Sequence, residues 1–292
     1  MELMISYELN TFKTVTDAII FAIQHLNFEP IAISSPKSFR GGYQSFEKNM
    51  ILKKFQSNND SDFIIADDFY SYHDEINSVL YREDHLHFLQ FFIFKFEVLD
   101  DKWLNKLIED ADKLGFFLAY LTDRKKALWQ NEIFIHHYVQ ANKSHTNFTT
   151  YWDPILSPIV KQEIIDISKN PGHDKMTFGT WIMAAPEIWF GKKSLKYFEK
   201  EKIKSFDNAI KIEEISPDLL HVKLFNVDAL DFENPEILKL QSSFRTWTEM
   251  DRIENELDDL CKYKNKDQFK GSIIETIAVM PTNLSNSNIK DN

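Results

Sequence analysis

Glycine is scarce in this sequence, with 7 among 292 residues, where average usage of roughly 7% would give about 20. Only Gly41 and Gly42 are adjacent, and the other five stand alone. Phosphate-binding loops need several closely spaced glycines, because glycine tolerates their backbone conformations and lets the phosphate approach. Neither GxGxxG nor GxxxxGK[ST] occurs, so the sequence does not predict nucleotide binding through such a loop.

Cysteine is almost absent, since Cys261 is the only one in the chain. One thiol cannot form an intrachain disulfide, so the sequence does not predict a secreted fold held by disulfides. We expect a cytoplasmic protein. Cys261 lies beside Lys262 in a charged segment that is predicted to be helical. A lone cysteine in such a position is typical of a small packing residue, so we assign it no catalytic role.

Long apolar runs are also missing. No run approaches the roughly 20 residues that a helix needs to span a bilayer, so we expect no membrane insertion. The first residues, MELMISYELN, carry Glu2 and Glu8 where a secretory signal would have basic residues followed by an apolar stretch. We therefore expect no signal peptide.

Basic residues are outnumbered, with 34 Lys and Arg against 45 Asp and Glu and a formal net charge of −11. Nucleic-acid affinity depends mainly on basic side chains that neutralise phosphates, so we expect no nucleic-acid partner. The charge is uneven along the chain. The segment from Ser57 to Asp112 contains fourteen carboxylates against four basic residues, Asp228 to Asp259 contains ten against three, and Lys192 to Lys204 is basic.

The acidic segments have two interpretations. They are either solvated faces that keep the protein soluble or a docking surface for a basic protein partner. For the second interpretation, the sequence predicts these acidic residues as partner-binding: Asp67, Asp68, Glu83 and Asp84.

Aromatic residues are abundant, with 25 Phe, 10 Tyr and 6 Trp, and the 43% hydrophobic content is typical of a globular protein. Apolar spacing predicts helices and strands that are interspersed without βαβ regularity, which favours an α+β fold with mixed or antiparallel sheets and two similar-sized halves. The predicted helices are 14–27, 43–55, 102–114, 159–168, 194–203 and 235–263, and the predicted strands are 31–34, 62–66, 86–98, 116–121, 177–184, 209–214 and 219–227.

The domain organisation follows from composition. We expect one globular region over 1–280, with a subdomain boundary near 142–152, where the sequence is polar. The end of the chain, 281–292, has no apolar repeat and is predicted to be a disordered tail.

Histidines offer the best candidates for a metal site. His85 and His87 would share one face of a strand, where a carboxylate from elsewhere could complete a ligand set. His136 and His137 are adjacent and would point apart. Because HExxH and CxxC are both absent and two ligands do not make a site, we predict no metal and no cofactor.

Two other functions stay open from the residues. A hydrolase or transferase could assemble its site from dispersed groups such as His85, His87 and Glu187, although the nucleophile motif GxSxG is absent. A structural or assembly subunit that forms homo-oligomers is the other alternative.

The most unusual local sequence runs from Trp181 to Phe198. It contains Trp189 and Phe190 immediately before Gly191 and a lysine-rich segment. The two aromatic side chains either pack at the end of a sheet or form an exposed anchor for a protein partner. We include both among the predicted partner-binding residues.

The sequence from Trp181 to Phe198, together with the acidic character and the composition rich in Lys, Asn, Ile and Phe, resembles bacterial immunity proteins that neutralise a toxin of neighbouring cells. The resemblance implies a non-enzymatic inhibitor that binds a cognate toxin through an acidic surface. It assigns no site residues. This is the function that we predict from the sequence.

Overall fold

The computed structural model describes residues 1–40, 42–58, 60–68 and 77–268. Among the residues discussed above, Gly41, Asp74, Glu75 and the predicted tail 281–292 lie outside this part of the chain. The predicted α+β class is confirmed, because a large antiparallel sheet packs against helices on both faces.

The large sheet contains ten strands among the described residues. Their bounds are β1 Glu2–Glu8, β2 Ala32–Ser34, β3 Tyr43–Ser45, β4 Asp62–Ala66, β5 Ser78–Asp84, β6 Leu89–Lys95, β7 Leu118–Thr122, β12 Glu187–Phe190, β13 Lys211–Ser216 and β14 Leu219–Lys223. Their order across the sheet is β13, β14, β12, β7, β1, β6, β5, β4, β2, β3, and neighbouring strands are antiparallel.

Two small sheets and the helices complete the described fold. One hairpin joins β10 to β11, and a second pairing joins β8 to β9. The bounds are β8 Thr150–Tyr151, β9 Ile164–Ile165, β10 Asp174–Thr177, β11 Thr180–Met183, α1 Val15–Gln24, α2 Lys48–Ser57, α3 Asp101–Lys113, α4 Arg124–Leu128, α5 Ile135–Gln140, α6 Ser157–Val160, α7 Lys200–Lys204, α8 Pro235–Thr248 and α9 Met250–Gln268.

Strand β1 lies near the centre of the large sheet, paired with β6 on one side and β7 on the other. Successive side chains of a strand point to opposite faces. Leu3, Ile5 and Tyr7 therefore enter the core on the first face, while Met4 enters the core on the second face. Because both faces are covered, the central strands are apolar almost throughout.

The first core is largely aromatic. Phe92 on β6 is fully buried, and its ring centroid lies 6.2 Å from that of Tyr7, 5.3 Å from Phe12 and 5.2 Å from Phe21. Tilted and edge-to-face contacts of this kind add to the stabilisation from burial. Helices α1, α2 and α3 cover this face.

Local capping explains where two of these helices begin. The Thr14 hydroxyl accepts the backbone N–H of Asp17, and the Asp17 carboxylate accepts the N–H of Thr14, which forms a capping box at α1. Asp100 accepts the N–H groups of Lys102 and Trp103 at the start of α3. The predicted helix 102–114 is confirmed within one residue at each end.

The second face is covered by the β10–β11 hairpin together with α7, α8 and α9. Helix α9 contributes Met250, Ile253 and Leu257 to this core at helical spacing, and α8 contributes Ile237 and Phe244. These side chains pack against the apolar residues that the large sheet directs to this face.

The prediction of one long helix over 235–263 is wrong in one respect. The chain forms two helices that meet at Glu249, whose φ of 58° is left-handed and ends α8. The break lets both helices pack against the same face of the sheet. Helical propensity alone does not predict this break at Glu249.

Four further elements differ from the prediction. The predicted helix 43–55 begins as strand β3, and its helical part, α2, starts at Lys48. The predicted strand 177–184 is a hairpin that reverses at Gly179, which has a φ of 68°. The predicted helix 159–168 is divided into the end of α6, then β9, then the start of a 3-10 turn at Ile167–Lys169. Lys161, which is left-handed at a φ of 58°, ends α6. The predicted helix 194–203 is a 3-10 turn followed by α7.

Strands from both sides of the predicted boundary near 142–152 belong to one sheet, since β7 pairs with β12. Among the described residues, no helix has the length and apolar character needed to cross a membrane.

Gly191 provides a test of how closely the sheet packs. Its N–H donates to the carbonyl of Phe117 at 3.1 Å, and a Cβ at this position would overlap the carbonyl oxygen of Phe116. We expect Gly191→Ala to lower the free energy of unfolding by roughly 1–3 kcal/mol in urea denaturation, because backbone must shift. Gly42→Ala, whose nearest atom would be 3.5 Å away, is the control. Equal stability of the two variants would contradict this packing.

Candidate functional site

The four predicted acidic residues do not form one surface. Asp67 and Asp68 follow β4 at the end where Ala66 pairs with Ser78, whereas Glu83 and Asp84 end β5 beside Asp62. About five residues of strand at roughly 3.3 Å each separate the two pairs. The structure therefore divides these candidates between opposite ends of the β4–β5 pair.

Asp67 has a structural role at its end of the strands. Its carboxylate accepts the side-chain amide of Asn77 at 2.7 Å and the backbone N–H of the same residue at 3.3 Å. Asp67 and Asp68 are both half-buried. These contacts connect the end of β4 to the start of β5.

Glu83 and Asp84 lie together at the other end. Glu83 accepts the hydroxyl of Tyr81 at 2.9 Å and the amide of Gln90 at 3.1 Å. Asp84 accepts the backbone N–H of His87 and also binds its Nδ1 atom at 2.9 Å. Both carboxylates are held in fixed positions and both are partly exposed.

Glu83 also lines a cleft of about 600 Å³, which we call the acidic cleft. The cleft lies between the start of α1, the end of α2 and the end of β5. Among its described lining residues, three carry carboxylates and one, Lys13, is basic. The lining residues are Lys13, Thr14, Val15, Thr16, Asp17, Ile20, Phe55, Gln56, Asn58, Asp60 and Glu83.

The carboxylates of the acidic cleft are fixed by the fold. Asp60 is buried and accepts the N–H groups of Lys37 and Ser38, and Asp17 belongs to the capping box of α1. In the described part of the chain, the acidic-cleft carboxylates are not close enough together to form a group of three metal ligands.

The candidate metal ligands His85 and His87 lie in the turn between β5 and β6 and not within a strand. His87 is bound to Asp84, while Nε2 of His85 lies 3.5 Å from a carboxylate oxygen of Glu83. Each histidine thus has its own carboxylate. Within the described residues the two do not belong to a group of three metal ligands.

The other histidine pair is also divided between partners. His137 Nδ1 lies 2.8 Å from Glu132, and His136 Nδ1 lies 2.9 Å from the amide of Gln162.

Cys261 is buried, and burial raises the pKa of its thiol to about 12. A thiol with this pKa is protonated at neutral pH, which fits a packing residue.

Trp189 and Phe190 lie inside the protein. Trp189 is 3% exposed and stacks on His221, with ring centroids 4.4 Å apart and planes 6° from parallel. Phe190 is fully buried and contacts Phe198. Strand β12 lies between β7 and β14 in the sheet, which explains this burial. The structure therefore favours the packed interpretation, and neither side chain is exposed to a partner.

Glu187, on the same strand, does not meet His85 and His87. It pairs with His221 at 3.0 Å and with Lys223 at 2.9 Å. Four strand spacings of roughly 4.8 Å separate β12 from β5. Burial opposes ionisation of Glu187, but hydrogen bonds from His221 and Lys223 outweigh it and lower the pKa of the carboxyl. The proposed catalytic set is not assembled.

A buried ionic cluster that the sequence analysis missed joins α8, α9 and the residue before β10. Arg245 is 3% exposed, and its guanidinium donates to Glu254 at 2.6 Å and to Asp251 at 2.6 and 2.8 Å. His173 Nε2 lies 3.0 Å from the same guanidinium. A cleft of about 500 Å³ opens beside His173, Asp251 and Glu254.

His173, Asp251 and Glu254 are close enough together to hold a metal ion. The Arg245 guanidinium, however, already contacts all three side chains and supplies the positive charge. Burial opposes ionisation of Glu254, yet hydrogen bonding to His173 and the charge of Arg245 lower its pKa. The residues therefore fit an ionic cluster neutralised by Arg245, with Asp251 at its exposed edge, and not a metal centre.

The buried positions of α8 carry the signal that could have revealed this cluster. Gln241, Phe244, Arg245 and Thr248 follow helical spacing, so Arg245 shares a face with buried residues. A charged residue on that face requires a partner, since an isolated buried charge is strongly unfavourable. The partner's identity depends on the tertiary fold.

Comparison with protein-family models, with curated proteins and with solved structures finds no match to this chain. The resemblance to immunity proteins therefore stays a prediction, and the functional argument depends on the chain's own residues.

The buried cluster predicts a large effect of removing Arg245. Arg245→Leu leaves Glu254 buried without its guanidinium, and we expect it to lower the free energy of unfolding by about 3–5 kcal/mol. The control Arg252→Leu removes an arginine that is 57% exposed and should cost less than about 1 kcal/mol. The double variant Arg245→Leu with Glu254→Leu should recover part of the loss. Equal effects of Arg245→Leu and Arg252→Leu in urea denaturation would contradict the account.

The Asp84–His87 pair predicts a pH dependence. Hydrogen bonding to His87 lowers the pKa of Asp84 from 3.8, and hydrogen bonding to Asp84 raises the pKa of His87 from 6.5. The pair should therefore stabilise the folded protein fully between pH 3.8 and pH 6.5, the ordinary pKa values of the two groups. The stabilisation is lost as pH rises through the raised pKa of His87 or falls through the lowered pKa of Asp84.

The measurement is the difference in unfolding free energy between the wild type and His87→Gln from pH 3 to 9. We expect a maximum of up to about 1 kcal/mol between pH 4 and 6.5. His85→Gln, at a more exposed histidine, serves as the control. A difference that increases above pH 8 would show that the pair does not act this way.

Proposed function

We propose that this protein acts by binding a basic protein, as an immunity factor that neutralises a toxin would. The observation that carries the proposal is the acidic cleft, where three carboxylates surround a space of about 600 Å³ beside Lys13. The cleft has room for a lysine or arginine side chain of a partner, whose positive charge is opposite to that of the lining carboxylates.

The walls of the acidic cleft suit such a side chain. Ile20 is 40% exposed and contributes an apolar wall, against which the aliphatic stem of a lysine or arginine can pack. Asp17 and Glu83 are positioned to meet the charged end. Because hydrogen bonds already fix both carboxylates, little side-chain entropy is lost on binding.

The charge of the whole protein supports a basic partner. A net charge of −11 attracts a basic protein over several ångströms and speeds the encounter, an effect that salt weakens. The four acidic candidates lie at opposite ends of the β4–β5 pair, so together they contribute to this general attraction and not to one contact surface. We assign specific contact to the acidic cleft at the Glu83 end.

The first experiment tests the products of the reading frames adjacent to this gene. Each is purified and tested for binding by the full-length protein, and each is expressed in bacteria with and without the protein. We expect one product to be toxic, basic and neutralised by coexpression. If none of the adjacent products binds the protein or is neutralised by it, the proposed function is wrong.

Removing the cleft charges should slow association with that partner. Asp17→Asn with Glu83→Gln keeps the hydrogen-bond acceptors but removes two charges, and we expect an association rate at least about threefold lower at low salt. The rates should converge at high salt. The control, Glu109→Gln with Asp259→Asn, removes the same charge from exposed positions elsewhere. Equal rates for the two double variants would exclude the acidic cleft as the contact.

A further inference from the structure

An exposed apolar surface lies in residues 150–160, which we call the aromatic loop. Its large apolar side chains are strongly exposed: Tyr151 by 42%, Trp152 by 56%, Ile155 by 74% and Ile159 by 73%. Contiguous apolar residues on a protein surface are typical of interaction sites. Trp and Tyr are also the residues that most often dominate binding energy.

The aromatic loop is held in one conformation. The Asp153 carboxylate accepts the backbone N–H of Ile155 at 2.8 Å and of Leu156 at 2.6 Å. The hydroxyl of Ser157, which is fully buried, accepts the N–H of Asp153 at 2.8 Å. Pairing of β8 with β9 anchors the start of the loop. A preformed surface loses little conformational entropy when it binds.

Carboxylates flank the aromatic end of the loop. The Tyr151 hydroxyl donates to Asp153 at 3.3 Å, the Thr150 hydroxyl donates to Glu163 at 2.6 Å, and Asp166 acts electrostatically on Tyr151. Lys161 is the nearby basic residue of this segment. Aromatic faces and carboxylates both attract a lysine or arginine side chain.

We propose that the aromatic loop docks a protein surface that is apolar and carries a lysine or arginine at its margin. This inference rests on the proposed function, because the basic partner is the same protein, and it adds the apolar contact that holds the complex. The acidic cleft governs the rate of encounter, whereas Trp152 and Ile155 govern the lifetime of the complex.

The carboxylates of the loop favour a basic protein over two other occupants, which are an anionic membrane surface and a second copy of this chain. The carboxylates beside Tyr151 oppose an anionic membrane surface, which attracts basic segments. A symmetric contact with a second copy would bring these carboxylates towards their equivalents, since the same patch faces itself. A basic protein meets neither repulsion.

The test uses the toxic product of the adjacent reading frame, purified, with the full-length protein. We expect Trp152→Ala and Ile155→Ala each to weaken binding by about tenfold or more, through faster dissociation that salt barely changes. Ile210→Ala changes a 59% exposed isoleucine beside β13 and should leave binding unchanged. Thermal melting of each variant verifies that the fold is retained, as the exposure of these side chains leads us to expect.

Several outcomes would overturn the inference. If the wild type binds this product and the loop variants bind equally well, the aromatic loop is not the contact, although the proposed function stands. Loss of wild-type self-association in the Trp152→Ala variant, measured by sedimentation, would assign the surface to a second copy. Loss of binding to anionic phospholipid vesicles, with unchanged affinity for the product, would assign it to a membrane. If the wild type binds no product, the proposed function and this inference both fail.

Discussion

Burial of both faces of one antiparallel sheet is the constraint on which the rest of the structure depends. Strand β1 sends Leu3 and Ile5 into one core and Met4 into the other, so neither face can be left to solvent. Helices must therefore cover both sides. Most of the abundant aromatic residues serve this purpose, including Phe92 and Trp189. Charged groups are displaced to strand ends, turns and outer helix faces, where the acidic cleft forms.

The elements that cover the second face are joined by an ionic cluster inside the protein. Arg245, Glu254 and His173 are nearly excluded from water, and they connect the two helices to the start of the hairpin. Such a cluster is costly to break because each remaining charge would be buried alone. His173, Asp251 and Glu254 lie as close together as metal ligands would, but the Arg245 guanidinium contacts all three. The satisfied hydrogen bonds of the cluster assign it to the fold and leave functional contacts to exposed groups.

Local signals explain which parts of the fold could be predicted from the sequence. The cap at Asp100 and the apolar spacing after it defined α3 within one residue at each end. Long-range packing was not predictable in the same way. The break at Glu249, the burial of Trp189 and the partners of Arg245 depend on residues distant in sequence. At the candidate site, Glu83 was identified from charge, but the aromatic loop was missed because exposure is a tertiary property.

The central claim is that one basic protein contacts the acidic cleft and the aromatic loop of this chain. Amide hydrogen exchange of the full-length protein, with and without a basic protein that the binding experiments identify as its partner, tests it most directly. The account predicts slower exchange in residues 13–20 and 150–160 when the partner is bound, because contact restricts solvent access and local opening. Unchanged exchange in both segments, with protection elsewhere, would contradict the account.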